Sequence, residues 1–168
     1  MSENLLYQQL GKFVILFQNI ERAIVELIVL IARADDEIIE ILINELDYSS
    51  RIKTTDVLFA RYIDIRKIEP EEKKDFHSLM AKCLKLGELR NNLLHSKYAH
   101  LMEADKVIAL IRENSKLRGK KGIREIEEED LTSESFDPYF IEIRLVFEQI
   151  EAFRLKIIDW NYPDIEQP

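Results

Sequence analysis

The sequence predicts an all-α fold, a bundle of four to five helices with a small β-hairpin inserted before the last helix. Glycine and proline, which most often interrupt helices, number only four each among 168 residues. Apolar residues recur in alternating steps of three and four near both ends of the chain, which is the period of a helix face. Apolar residues make up 46% of the chain and charged residues 33%, so a disordered chain is excluded.

The first predicted helix covers about residues 4–33 and carries the longest apolar stripe. Its members are Leu6, Leu10, Phe13, Phe17, Ile20, Ile24, Leu27 and Ile31. Charged and amide side chains interrupt the segment, so we interpret it as an amphipathic helix that does not enter a membrane. The first residues show no secretory signal and Cys83 is the single cysteine, which together predict a cytoplasmic protein.

Three more helices are predicted after the first. They cover about residues 36–47, 51–65 and 70 to Ser96 or Tyr98. Asp35, with the acid that follows it, is expected to cap the second helix. Ser49 and Ser50 are expected to cap the third. Pro70 is expected to open the fourth, because proline is tolerated at the first helical position.

Residues 105–130 interrupt the helical pattern. Val107–Ile111 is rich in β-branched residues and Ile123–Ile126 alternates, which predicts two strands joined by a long basic loop. Apolar steps of three and four then resume and predict the last helix. We therefore expect one domain over residues 1–160, with an insert at 105–130 and a flexible tail at 161–168.

The net charge is −8 and the pI is about 5.0, which argues against bulk, non-specific nucleic-acid binding. A dense basic run nevertheless precedes an acidic one in the insert. It is either a solvated, charge-balanced turn or a loop that contacts phosphates. In the second interpretation the RNA-binding residues are Lys97, Lys116, Arg118, Lys120 and Lys121.

Two side-chain lines meet near the end of the fourth helix. Arg90 occupies a position where the apolar line through Cys83 and Leu93 would place a leucine, and a buried guanidinium there needs a partner. The neighbouring line contains Gly87, Asn91 and His95. Gly87 leaves room for a ligand or another backbone, and the side chains of Asn91 and His95 can hydrogen-bond because they are four residues apart.

The segment Arg90-Asn91-Asn92-Leu93-Leu94-His95 resembles the defining motif of the HEPN superfamily, an arginine, a polar residue and a later histidine. The resemblance implies a HEPN-like helical domain that cleaves RNA without metal or cofactor at a homodimer interface. His95 would take the proton of a ribose 2′-OH, Arg90 would hold the scissile phosphate, and Asn91 would orient His95 or the phosphate. It also suggests a 2′,3′-cyclic phosphate product, and the role of a toxin or defence effector.

The resemblance implies three kinds of partner: a second copy of the chain, an RNA substrate, and an antitoxin or other protein. One HEPN toxin group carries a tyrosine two residues after the histidine. Here Tyr98 lies three residues after His95, so the tyrosine modification of that group is not expected.

A second interpretation is a non-catalytic helical dimer that binds a partner protein or RNA. There, Arg90 would pair with an acid such as Glu26 or Glu40. The other two histidines are weaker candidates for a functional role. We interpret His77 as a surface residue and His100 as a loop residue. No metal-ligand spacing is recognisable.

Overall fold

The computed structural model describes residues 3–104, 106–118 and 122–163. Its helices are α1 Glu3–Ala32, α2 Asp36–Ile43, α3 Tyr48–Arg66, α4 Glu71–Leu94 and α5 Asp137–Asn161. Its strands are β1 Lys97–Glu103, β2 Lys106–Arg118 and β3 Ile123–Leu131, and a short 3-10 turn at Glu134–Phe136 precedes α5. Most of the described chain is helical, as predicted. The strands form an antiparallel sheet in the order β1-β2-β3, so the prediction of an all-α fold is only partly right.

The chain divides into two compact units. The sheet unit contains residues 1–17 and 88–142, and the helical unit contains residues 18–87 and 143–168.

Helix α1 buries the stripe that its sequence predicts. Seven of the eight stripe residues are less than a tenth exposed, and Leu10 is half-buried. Burial of so many large apolar side chains stabilises the helix far more than its intrinsic propensity does. No helix in the described part of the chain is both long enough and apolar enough to cross a bilayer.

The starts of α2 and α3 show one correct and one incorrect cap prediction. The carboxylate of Asp35 accepts hydrogen bonds from the backbone N–H groups of Glu37 and Ile38, as expected. Helix α3 starts earlier than predicted, and its cap is Asp47, whose carboxylate accepts from the Ser50 N–H at 2.6 Å. That hydrogen bond holds the pKa of Asp47 below its ordinary value. Asp and Ser are both good caps, so composition alone did not decide between them.

An aromatic cluster fills the core of the helical unit. The rings of Phe59 and Phe76 stack with centroids 3.9 Å apart, and both side chains are fully buried. Phe153 meets both rings edge-on, at 5.5 Å and 5.0 Å. Trp160 and Tyr62 complete the cluster at 6.3 Å and 6.4 Å from Phe59. Offset and edge-to-face arrangements of this kind add to the stability gained from burial.

The end of α5 is held by a buried amide. The Asn161 side-chain oxygen accepts from the Tyr62 hydroxyl at 3.0 Å and from Arg66 at 2.8 Å, and its amide nitrogen donates to the Leu30 carbonyl at 3.0 Å. The predicted flexible tail therefore does not include Asn161. Residues 164–168 lie outside the described part of the chain.

The sheet unit contains a strand that the sequence analysis missed. Helix α4 ends at Leu94, and β1 begins three residues later where helix or loop was expected. Strand β1 half-buries only Tyr98 and Leu101, so its alternation is too weak to recognise as a strand. Strand β2 pairs with β1 on one side and β3 on the other, and it is longer than the predicted Val107–Ile111.

Candidate functional site

The motif lies at the carboxyl end of α4, within the sheet unit. Arg90 and Asn91 belong to the last turns of the helix. His95 directly follows it, and its backbone N–H donates to the Asn91 carbonyl at 3.0 Å, so the helical hydrogen-bond pattern extends through His95. Helix termini leave their last carbonyls without intrahelical partners, so the surroundings of this end decide how firmly it is held.

The Arg90 guanidinium is half-buried and rests on an aromatic ring. Its carbon Cζ lies 5.9 Å from the centroid of Phe17, close enough for a cation–π contact. Its Nη1 donates to the side-chain oxygen of Asn91 at 3.0 Å. Among the described residues of the sheet unit, none forms an ion pair with Arg90. Glu26 and Glu40 belong to the helical unit, so the alternative in which one of them neutralises Arg90 stays a prediction.

Asn91 and His95 are both exposed. The amide oxygen of Asn91 is taken by Arg90, and the contact of Asn91 with His95 is made through the backbone. The side-chain hydrogen bond that the four-residue spacing allows is not formed. In the described part of the chain, no hydrogen bond engages the His95 imidazole, which leaves it accessible to a ligand.

Three side chains hold the carboxyl end of α4. The Ser96 hydroxyl donates to the Asn92 carbonyl, and the Tyr98 hydroxyl donates to the Leu93 carbonyl at 2.5 Å. Asn114 of β2 donates to the Asn92 side-chain oxygen at 3.1 Å. We call Ser96, Tyr98 and Asn114 the helix clamp. Because two members come from the sheet, the sheet fixes the backbone that carries His95.

Tyr98 also belongs to a polar group on the sheet. It pairs in register with Arg112, which pairs with Glu129 on β3 and forms an ion pair with it. Burial raises the pKa values of Tyr98 and Tyr139, and the nearby Arg112 opposes that rise. Both phenols therefore stay protonated near neutral pH. A protonated Tyr98 is the form that donates to α4.

The basic residues proposed to bind RNA are placed only in part. Lys97 is exposed at the start of β1, two positions after His95. Lys116 and Arg118 lie in β2, but their side chains are outside the described residues, as are Lys120 and Lys121 altogether. Their contribution to RNA binding therefore stays a prediction.

The remaining histidines make specific contacts. His100, expected in a loop, lies in β1, and its Nε2 is 2.7 Å from the Tyr7 hydroxyl. His77 lies on α4, exposed as expected, with its Nδ1 2.6 Å from the carboxylate of Asp56. Among the residues that the structure describes, no group of three or more His, Cys, Asp or Glu side chains could hold a metal ion.

The space expected at Gly87 is already filled within the helical unit. The Tyr48 ring lies against Gly87, and its hydroxyl donates to the Cys83 carbonyl at 2.9 Å. Burial raises the pKa of the Tyr48 phenol, and it raises the pKa of the neighbouring Cys83 thiol to about 12. Gly87 therefore accommodates a side chain of its own chain, and the expectation of room for a ligand there is wrong.

We expect Gly87→Ala to lower the free energy of unfolding by about 1–2 kcal/mol. A Cβ at position 87 would lie 2.6 Å from Cδ1 and Cε1 of Tyr48. Overpacking costs about 1–3 kcal/mol, offset by about 0.5–1 kcal/mol of improved helix propensity. Gly11→Ala is the matched control, because a Cβ there would meet nothing within 4 Å, and it should stabilise by about 0.5–1 kcal/mol. Urea unfolding that gave both variants the same sign would contradict this packing.

Comparison with known proteins gives no match, whether to a family model, to a curated protein or to a solved structure. The HEPN resemblance therefore rests on the motif Arg90–His95 and on the helical setting alone.

Proposed function

We propose that the chain is a HEPN-like, metal-independent endoribonuclease that acts as a homodimer, in the role of a toxin or defence effector. Arg90 holds the scissile phosphate, His95 moves protons as general base and acid, and Asn91 keeps Arg90 oriented. The observation that carries the proposal is the state of Arg90. Its guanidinium lies over the Phe17 ring beside the Asn91 amide, with no carboxylate of the described sheet unit neutralising it.

A guanidinium in that state suits a phosphate. It has five N–H donors, and Asn91 accepts from only one of its nitrogens, Nη1. A phosphate can accept from two donors of the planar fork at once, which also fixes the orientation of the phosphate. Phe17 and Asn91 restrict the guanidinium before RNA arrives, so less conformational entropy is lost on binding.

The reaction needs a base next to the phosphate. His95 removes the proton of a ribose 2′-OH, whose oxygen attacks the adjacent phosphorus. The bond to the 5′ oxygen breaks, and that oxygen takes up a proton. The products are a 2′,3′-cyclic phosphate and a 5′-hydroxyl, and Arg90 stabilises the charge that develops on the phosphate. In a homodimer with the two motifs facing each other, the second copy of His95 supplies the acid.

A non-catalytic module that binds RNA or a partner protein, such as an antitoxin, is the second candidate. One observation favours it: Asn91 does not orient the His95 imidazole, because the amide oxygen of Asn91 accepts a hydrogen bond from Arg90. A general base is usually oriented by a hydrogen bond from a second group. The second candidate predicts binding without cleavage.

The test is incubation of the purified chain with RNA in excess EDTA, with mapping of the product ends. We expect cleavage that leaves 2′,3′-cyclic phosphates, and Arg90→Ala should slow it by about 100-fold or more. Arg61→Ala, which removes an exposed arginine of α3, should cleave at the wild-type rate. Equal cleavage by Arg90→Ala and wild type would refute the proposal, whereas RNA binding without cleavage would support the second candidate.

A further inference from the structure

Helix α2 exposes an apolar face that its own unit leaves uncovered. Its buried residues are Ile39 and Ile43. Another side of the helix carries Ile38, Ile41 and Leu42, which are 55%, 69% and 69% exposed. Steps of three and four place these three side chains together on one face. We call them the α2 stripe.

An exposure above one half is unusual for adjacent side chains of this size. Single exposed apolar residues are common, but a contiguous group with a polar rim marks an interaction surface. The α2 stripe is also regular. Its helical spacing matches the way in which an amphipathic helix presents apolar contacts to another helix.

The chain segment that contains the α2 stripe is acidic. Between Arg33 and Arg51 the sequence contains no lysine or arginine. The same segment contains six acids: Asp35, Asp36, Glu37, Glu40, Glu45 and Asp47. Glu37 in the first turn of α2 and Glu45 just after its end are exposed and flank the stripe along the chain, whereas Asp36 and Glu40 line a pocket that also contains arginines. A ligand of this face therefore meets apolar side chains flanked by negative charge.

We propose that the α2 stripe docks a basic amphipathic helix of a partner protein. Leucine-like side chains of that helix cover Ile38, Ile41 and Leu42, and its flanking lysines or arginines face the carboxylates. Charge complementarity of this kind gives specificity and steers association. The proposal does not depend on the proposed ribonuclease activity, because it involves none of the motif residues.

The acidic residues beside the α2 stripe disfavour three other ligands: RNA, an anionic membrane and a second copy of the chain. RNA phosphates and anionic lipid headgroups would be repelled by the acidic rim. A second copy that docked through its own α2 stripe would bring Glu37 and Glu45 close to the same carboxylates of the first copy, because a two-fold interface pairs a surface with itself. A basic helix has both the apolar and the charged complement.

The probe is a fluorescein-labelled peptide of about 18 residues, long enough to form several helical turns, with leucines on one helical face and lysines elsewhere. Its binding to the full chain is followed by fluorescence anisotropy at increasing salt. We expect saturable binding that weakens with salt, and binding weaker by about tenfold for a scrambled peptide of the same composition.

The variants locate the binding face. Ile41→Ser with Leu42→Ser should weaken binding by on the order of tenfold or more, and Glu37→Gln with Glu45→Gln should weaken it and flatten its salt dependence. Val57→Ser and Leu155→Ser are the matched controls, with exposures of 69% and 55%, and should bind as wild type does. Thermal melts should coincide for all variants, since the changed side chains are exposed.

Three results would overturn the proposal. One is the absence of peptide binding, or equal binding of the scrambled peptide. Another is unchanged binding by the Ile41→Ser, Leu42→Ser variant. The third is sedimentation in which wild type self-associates and that double variant does not, because the occupant of the α2 stripe would then be a second copy.

Discussion

His95→Ala is expected to slow RNA cleavage by about 100- to 10,000-fold, the range usually lost with a general acid or base. The imidazole is exposed directly after α4, where the chain is still hydrogen-bonded as a helix. Its removal leaves the Arg90 contacts with Phe17 and Asn91 in place, so RNA should bind almost as tightly as before. The loss should therefore appear in kcat more than in KM.

Single-turnover cleavage in EDTA measures this effect, and His77→Ala is the matched control. His77 lies on the same helix, is exposed, contacts Asp56, and precedes His95 by about five helical turns along the chain. We expect the control to cleave at the wild-type rate. If His95→Ala and His77→Ala had equal rates, His95 would have no role in proton transfer.

The largest effect on stability is expected for Phe59→Ala, a loss of about 3–5 kcal/mol in the free energy of unfolding. Phe59 is fully buried and lies between Phe76 and Phe153, whose centroids are 3.9 Å and 5.5 Å from its own. Alanine would lose the transfer free energy of the ring and leave a cavity that rigid aromatic neighbours cannot close.

Urea unfolding followed by circular dichroism measures the loss. Phe147→Ala serves as the comparison, because Phe147 belongs to the same unit and is 37% exposed, so its loss should be clearly smaller. Phe59→Leu should recover part of the stability by refilling the space. A loss below about 1 kcal/mol for Phe59→Ala would mean that the aromatic cluster is not tightly packed.

The helical part of the fold could be predicted because burial follows a strict period. The stripe from Leu6 to Ile31 marks α1, and seven of its eight residues are buried. The Asp35 cap was also predictable, since its carboxylate acts on backbone groups only two and three residues away. Local signals of this kind need no knowledge of distant residues.

The missed features all depend on distant partners. Strand β1 is stabilised mainly by its hydrogen bonds with β2, since few of its side chains are buried. The occupation of the Gly87 space depends on Tyr48, which is 39 positions away in sequence. The contact of Asn92 with Asn114 spans 22 positions. Nothing in the local sequence around these residues identifies the partner.

The sequence pattern located the motif, but it did not predict which of the motif's side chains are hydrogen-bonded to each other. The four-residue spacing allows a hydrogen bond between the side chains of Asn91 and His95, whereas the amide oxygen of Asn91 accepts from Arg90. Arginine offers more donors than histidine and lies next to Asn91, so it competes better for a single acceptor. The helix clamp could not be predicted, because β1 itself was not.

The single cysteine can report how often the helices around it separate. Cys83 is fully buried, its carbonyl is bonded to the Tyr48 hydroxyl, and burial raises the pKa of its thiol to about 12. Alkylating reagents attack the thiolate, so labelling must wait until the helices around Cys83 separate. The rate at which iodoacetamide modifies the chain thus records the frequency of that separation, with no engineered probe and no second thiol to confuse the signal.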